Sequence, residues 1–330
     1  MTDLKLAQNF SMIALNAQNS LQMTTVKKVA LRCMAAAVIL DAYLDSVFTQ
    51  TEDKVILHND ALDQTNIIPY REIILKFLLH KNPEAGGELK WWLKKASMLS
   101  NSRFIKFEHT IANSLKEADL LQEIPNLLGC DLYYNSSGVT IREYRSNVQE
   151  YARITENFRA EILEDGAVTD EAICMLWLLR ESGCMHDLFS QNELEKVAAR
   201  MGELYQSDSL AKAVFPIRIH RGVEIAVKGF LHMKKKIMKT PFLSGVNFAF
   251  PVLERSQSVF IDTEAWFSNA DKRLDNVRTR LESNGHAFTI LQEGQIPLIK
   301  IDNIVYMAIP QAIYSRVPIH GVRLLPKRPI

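Results

Sequence analysis

Apolar residues recur at three- and four-residue steps along most of the first 240 positions, the period of a helix with one buried side. Over 26–47 the set is Val26, Val29, Ala30, Cys33, Ala37, Leu40 and Leu44, and the spacing predicts a buried helix. A short strand and turn is expected at 53–60. Pro69 precedes a second helix, 70–80, with Ile73, Ile74, Phe77 and Leu78 on one side. Asn82-Pro83 and Gly86-Gly87 break the chain. Helices are predicted over 88–99, carrying Trp91 and Trp92, and over 105–121. At 132–141, apolar and β-branched arms surround the polar turn Asn135-Ser136-Ser137-Gly138, which predicts a β-hairpin. A polar-faced helix follows over 142–163. Thr169 is placed to cap the next helix, with Ile173, Leu176, Trp177 and Leu179 buried and Gly183 at its end. Two further helices reach Lys239.

After Thr240-Pro241 the pattern changes. Strands are predicted at 246–252 and 258–261. Thr263 then caps a helix with the stripe Trp266, Ala270, Leu274, Val277 and Leu281, which Asn284-Gly285 stops. Strands follow at 287–291, 297–301 and 304–309, the last two joined by the turn Asp302-Asn303. The expected fold is mainly α: a helical domain with a β-hairpin over 1–240, then a small α+β domain over 241–330.

Composition adds exclusions. The 330 residues are 47% hydrophobic and 23% charged, as in a globular protein with a substantial core. A net charge of +1 is too small for the whole molecule to attract a polyanion, so any such partner meets a local patch. Cys33, Cys130, Cys174 and Cys184 are far apart and form no CxxC pair, which speaks against a cysteine zinc site and fits a reducing, cytoplasmic setting. Residues 6–26 carry no charge but are too polar for a signal peptide. The most apolar run, 33–40, is less than half the ~20 residues that cross a bilayer, so no transmembrane segment is expected.

No phosphate-binding glycine loop, dinucleotide fingerprint, H-E-x-x-H or G-x-S-x-G is present. The eight histidines are scattered, and no ligand set is visible among them. The expectation is a protein with no enzymatic activity, metal or cofactor. His186-Asp187 reads as a helix end, and Glu161, Glu164 and Asp165 as a solvated cluster. Of Trp91 and Trp92, about 100° apart on a helix, one enters the core and the other is half exposed.

One segment departs from the even charge distribution. Residues 217–240 hold Arg218, Arg221, Lys228, Lys234, Lys235, Lys236 and Lys239 against the single Glu224. Wound as a helix, all but Lys234 fall within an arc of roughly 100°, opposite Ile219, Val223, Phe230, Met233 and Ile237. Such a cationic face is either a solvated surface or a dock for phosphate-rich partners, anionic lipid or nucleic acid.

The order of elements over roughly 1–200 resembles the peripheral Golgi phosphoprotein family, adaptors that bind phosphatidylinositol 4-phosphate and have bacterial relatives. The likeness is carried by Cys33-Met34-Ala35-Ala36-Ala37-Val38-Ile39-Leu40-Asp41-Ala42-Tyr43-Leu44, by Glu88-Leu89-Lys90-Trp91-Trp92-Leu93, by 132–141, and by 169–189 with Trp177-Leu178-Leu179 and Asp187-Leu188-Phe189. The resemblance implies a mostly helical, non-catalytic adaptor on membranes. That family's lipid site uses a tryptophan and an arginine at the start of the buried helix; Arg32 lies near the arginine's place, and no tryptophan is close. Of its second basic pair only Lys116 has a positive counterpart. The expected partners are therefore an anionic phospholipid surface or a partner protein, with Arg218, Arg221, Lys228, Lys235, Lys236, Lys239 and Arg32 as the contacting residues. The alternative is a winged-helix-like nucleic-acid-binding regulator, since helices followed by a hairpin describe that fold too.

Overall fold

A computed structural model describes residues 4–50, 55–57, 68–81, 86–219, 236–238, 248–250, 257–263, 270–313 and 318–327. The body is mainly helical and is built round α2, Thr25–Leu44, capped by the Thr24 side chain, which accepts from the Lys27 N–H. From Cys33 to Leu40 every residue of α2 is fully buried, as expected of a helix that is apolar all round. α1 (Leu6–Leu15), α4 (Leu89–Ala96) and α8 (Asp170–Ser182) pack against it. α3 (Pro69–Lys81) lies on α5 (Asn101–Glu117), and α7 (Val148–Leu163) on α10 (Gln191–Ser207). α9 (Met185–Leu188) and α11 (Ser209–Val214) complete the described helices of this part beside the short helix α6 below. Thr169 caps α8 and Gly183 ends it in the left-handed region at φ 75°, as the sequence predicts. β1 (Phe48–Gln50), β2 (Val55–Leu57) and β3 (Gly86–Gly87) form a small antiparallel sheet at its edge. Among the described residues no helix is long and apolar enough to cross a membrane.

Three expectations are corrected. Residues 132–141 are not a hairpin: Leu132–Ser137 is helix α6. Asp131 sets it, because its carboxylate accepts from the Tyr133 N–H and nucleates a helical turn, and Gly138 at φ 66° stops it. The hairpin is wider, with arms β4 (Leu121–Pro125) and β5 (Arg142–Ser146) joined by the whole 126–141 connection. Its far end exposes Tyr133, Tyr134 and Val139. Correspondingly, 142–146 is strand rather than helix; α7 starts only where Asn147 accepts from the N–H groups of Gln149 and Glu150. The basic segment is not one helix to Lys239 either. β6 (Lys236–Met238) pairs antiparallel with β7 (Phe248–Phe250), a long-range partner that decides between helix and strand for a short run where periodicity cannot. These strands pair across residue 240, and Phe250 joins the helical core.

The C-terminal unit is a five-stranded antiparallel sheet ordered β8-β12-β11-β10-β9: β8 (Val259–Asp262), β9 (Phe288–Gln292), β10 (Leu298–Ile301), β11 (Ile304–Ile313) and β12 (Ile319–Lys327). Helix α12 (Ala270–Ser283) buries Val277 and Leu281 against Ile299, Ile301, Val322 and Leu324. Leu127 and Cys130, from the 3₁₀ turn Leu127–Cys130 in the hairpin connection, enter this same second core. The long connection therefore joins the helical body to the sheet.

Candidate functional site

Of the seven cationic residues the sequence singles out, Arg218, Lys236 and Arg32 lie among the described residues. Arg218 is committed internally: its Nη1 donates to Glu181 Oε1 at 2.7 Å, beside the buried Arg180, while the Ile219 N–H donates to Glu181 Oε2. Arg32 is half-buried on α2. Lys236 lies in β6, and Arg221, Lys228, Lys235 and Lys239 lie outside the described residues. The tryptophan pair divides as expected. Trp92 is fully buried and its Nε1 donates to the Val55 carbonyl at 2.9 Å; Trp91 stays half exposed, edge to face with it at 4.9 Å. His186 is buried against the Phe250 carbonyl, and Asp187 is exposed. All four cysteines are buried, and none forms a disulfide among the described residues.

A different cationic surface is present. The buried residues of α4 are Leu89, Trp92, Leu93 and Ala96, which turns Lys90 and Lys95 outward and leaves Lys94 half exposed. After a short turn, α5 buries Phe104, Phe107 and Glu108 and leaves Arg103, Ile105 and Lys106 exposed. Residues 88–107 thus carry five cations against the single Glu88. None of the five has a salt bridge among the described residues; Lys95 lies over the Trp91 ring at 5.6 Å and Arg103 over the Phe77 ring at 4.2 Å. Between the cations stand two aliphatic side chains in water, Met98 at 57% and Ile105 at 50% exposure. The sequence carries a signal for this surface in Lys90-Trp91-Trp92-Leu93-Lys94-Lys95, whose charges fall opposite its buried residues.

A second arrangement lies where the hairpin meets the sheet. Glu143 on β5, His286 before β9 and Asp302 in the β10–β11 turn offer ligand atoms that all lie within 4.8 Å of one another. His286 Nδ1 is 3.0 Å from Asp302 Oδ2, Arg145 Nη1 donates to Asp302 Oδ1 at 2.8 Å, and Asn126 Nδ2 donates to Glu143 Oε2 at 2.6 Å. Burial, reinforced by the Asp302 charge, pushes the Glu143 carboxyl up to about 8. No spacing rule links residues so far apart in the chain; only the fold brings them together.

No protein-family model matches this chain, and no curated protein matches its sequence.

Proposed function

We propose that this chain is a non-catalytic adaptor that docks on anionic phospholipid surfaces, phosphoinositide head groups among them, through the α4–α5 surface. The observation that carries the reading is the set of five cations without salt bridges among the described residues, flanking two exposed aliphatic side chains. Each lysine or arginine near an anionic membrane contributes on the order of 1 kcal/mol. Burying Met98 and Ile105 among acyl chains adds roughly 1.5–3 kcal/mol each. The resemblance to the Golgi phosphoproteins supports the same class of function. The basic residues Arg221, Lys228, Lys235 and Lys239 would add to the attraction wherever they face the same surface.

The triple variant Lys90→Glu, Lys94→Glu, Lys95→Glu tests the assignment in co-sedimentation with phosphatidylcholine–phosphatidylserine vesicles. Reversing three charges is expected to lower vesicle affinity at least about a hundredfold, with stability almost unchanged because exposed charges contribute little to folding. Wild-type affinity in the variant would rule out this surface. A shift of DNA or RNA by the wild type, without vesicle binding, would favour the nucleic-acid reading instead.

A further inference from the structure

The junction cluster does not take part in the docking reading, and its chemistry points elsewhere. Two carboxylates and an imidazole are held together largely out of water: Glu143 and His286 are 8% and 4% exposed, and Asp302 is half-buried. Buried carboxylates this close need a proton or a cation between them. Arg145 supplies one unit to Asp302, yet it has other partners at hand, since Nη2 donates to Gln122 Oε1 at 2.9 Å and Nη1 also reaches the Gly285 carbonyl at 3.3 Å. Two acceptors at the junction lack partners among the described residues. His286 Nε2 is buried with nothing to bond, and so is Asn303 Oδ1. Asn303 lines a small cavity together with Glu143, Asp302 and Asn16. The close carboxylates and the unpartnered polar atoms lie at the same junction.

We propose that Glu143, Asp302 and His286 bind a divalent transition-metal ion, which fastens the C-terminal sheet to the β4–β5 hairpin. One imidazole nitrogen and two carboxylate oxygens form a ligand set suited to zinc or manganese. Zinc holds such atoms at about 2.0–2.2 Å in a tetrahedron, hence about 3.3–3.6 Å from one another, so any pair of the cluster wider than that closes on loading. In the metal-loaded form the His286 Nδ1–Asp302 contact is replaced by two metal bonds, the single imidazole proton passes from Nδ1 to Nε2, and the Glu143 carboxyl releases its proton to solvent. Arg145 keeps Gln122 and Gly285. Binding at this place joins elements 143, 286 and 302 of the chain, so the metal acts on the seam between the two cores.

The experiment uses the full chain, stripped with a chelator and titrated with Zn²⁺ by calorimetry, with Co²⁺ absorption as a second readout. The expected result is one tight equivalent, a raised melting temperature, and a visible Co²⁺ band of nitrogen–oxygen ligation. Glu143→Gln and His286→Gln should each weaken Zn²⁺ at least about tenfold, while His109→Gln, at an exposed position on α5, should not. If a junction variant does not fold, the wild-type Co²⁺ spectrum still decides. No stoichiometric uptake by the wild type, thiolate absorption in place of nitrogen–oxygen ligation, or uptake unchanged in folded junction variants would each overturn the site. None of these outcomes bears on vesicle binding, so the two proposals fail separately.

Discussion

Asp41 shows at the scale of one residue how a buried charge shapes stability. It sits on the central helix, 3% exposed, and its carboxylate accepts the Ala7 N–H at 3.2 Å. Burial pushes it up to about 7, against roughly 3.9 in an unfolded chain. A group whose proton affinity rises on folding stabilises the fold fully below the unfolded value and loses that contribution as pH rises through the folded one. Stability should therefore fall between about pH 4 and pH 7 on this account, by a few kcal/mol, since a tenfold change in proton affinity is worth about 1.4 kcal/mol. Asp41→Asn should flatten that slope in urea melts at a series of pH values; an unchanged slope would show that another group carries it. Gly321 is a steric case. A Cβ there would collide with the Ile261 carbonyl and the Phe260 ring across the β8–β12 pair. Gly321→Ala should cost about 1–3 kcal/mol in thermal unfolding; a neutral result would mean that β8 can move aside. Nothing in the sequence around Gly321 marks this contact, because it depends on a strand some sixty positions away.

Elements were legible where their own residues specify them. α2 and α8 follow from apolar spacing with Thr24, Thr169 and Gly183 at their ends. The strands at 288–292, 298–301 and 304–313 follow from alternation and the Asp302-Asn303 turn. α1 was not visible as a helix, since Gln8, Asn9 and Asn16 dilute its pattern, and β12 was missed because Pro318, Gly321 and Pro326 interrupt it. The hairpin failed for a different reason: Asp131 captures the next residues into a helical turn, while the true arms meet across 126–141. What holds that hairpin to the helices is a buried network. Lys27 on α2 lies 2.7 Å from Glu108 on α5, and the Tyr144 hydroxyl on β5 donates to Glu108 at 3.1 Å. Lys27 also donates to the Asn19 carbonyl at 2.8 Å. Removing one partner strands the other, so Lys27→Met should cost about 3–5 kcal/mol. Lys27→Met with Glu108→Gln should cost less than the two single changes together, which a double-mutant cycle in urea measures. Simple additivity would mean that the ion pair contributes no coupling.

On the scale of the whole molecule, the body and the sheet meet through polar contacts of the long connection and β5. Asp131 accepts the Phe260 N–H at 2.8 Å, and Asn303 donates to the Ser146 carbonyl at 2.8 Å. The seam is written in no local motif, because its residues are brought together only by packing, whereas the α4 part of the cationic surface is foreshadowed by the lysines at 90, 94 and 95. Most of the cationic segment 217–240 lies outside the described residues, and the proposed dock rests on 88–107 instead. The most direct measurement is the partition of the wild-type protein between buffer and vesicles of pure phosphatidylcholine or of phosphatidylcholine with phosphatidylserine. The account predicts binding to the acidic vesicles only, strong at low salt and much reduced at 0.5 M, where screening shortens to less than about 5 Å. Equal partition into both vesicle types, or none into either at low salt, would contradict it.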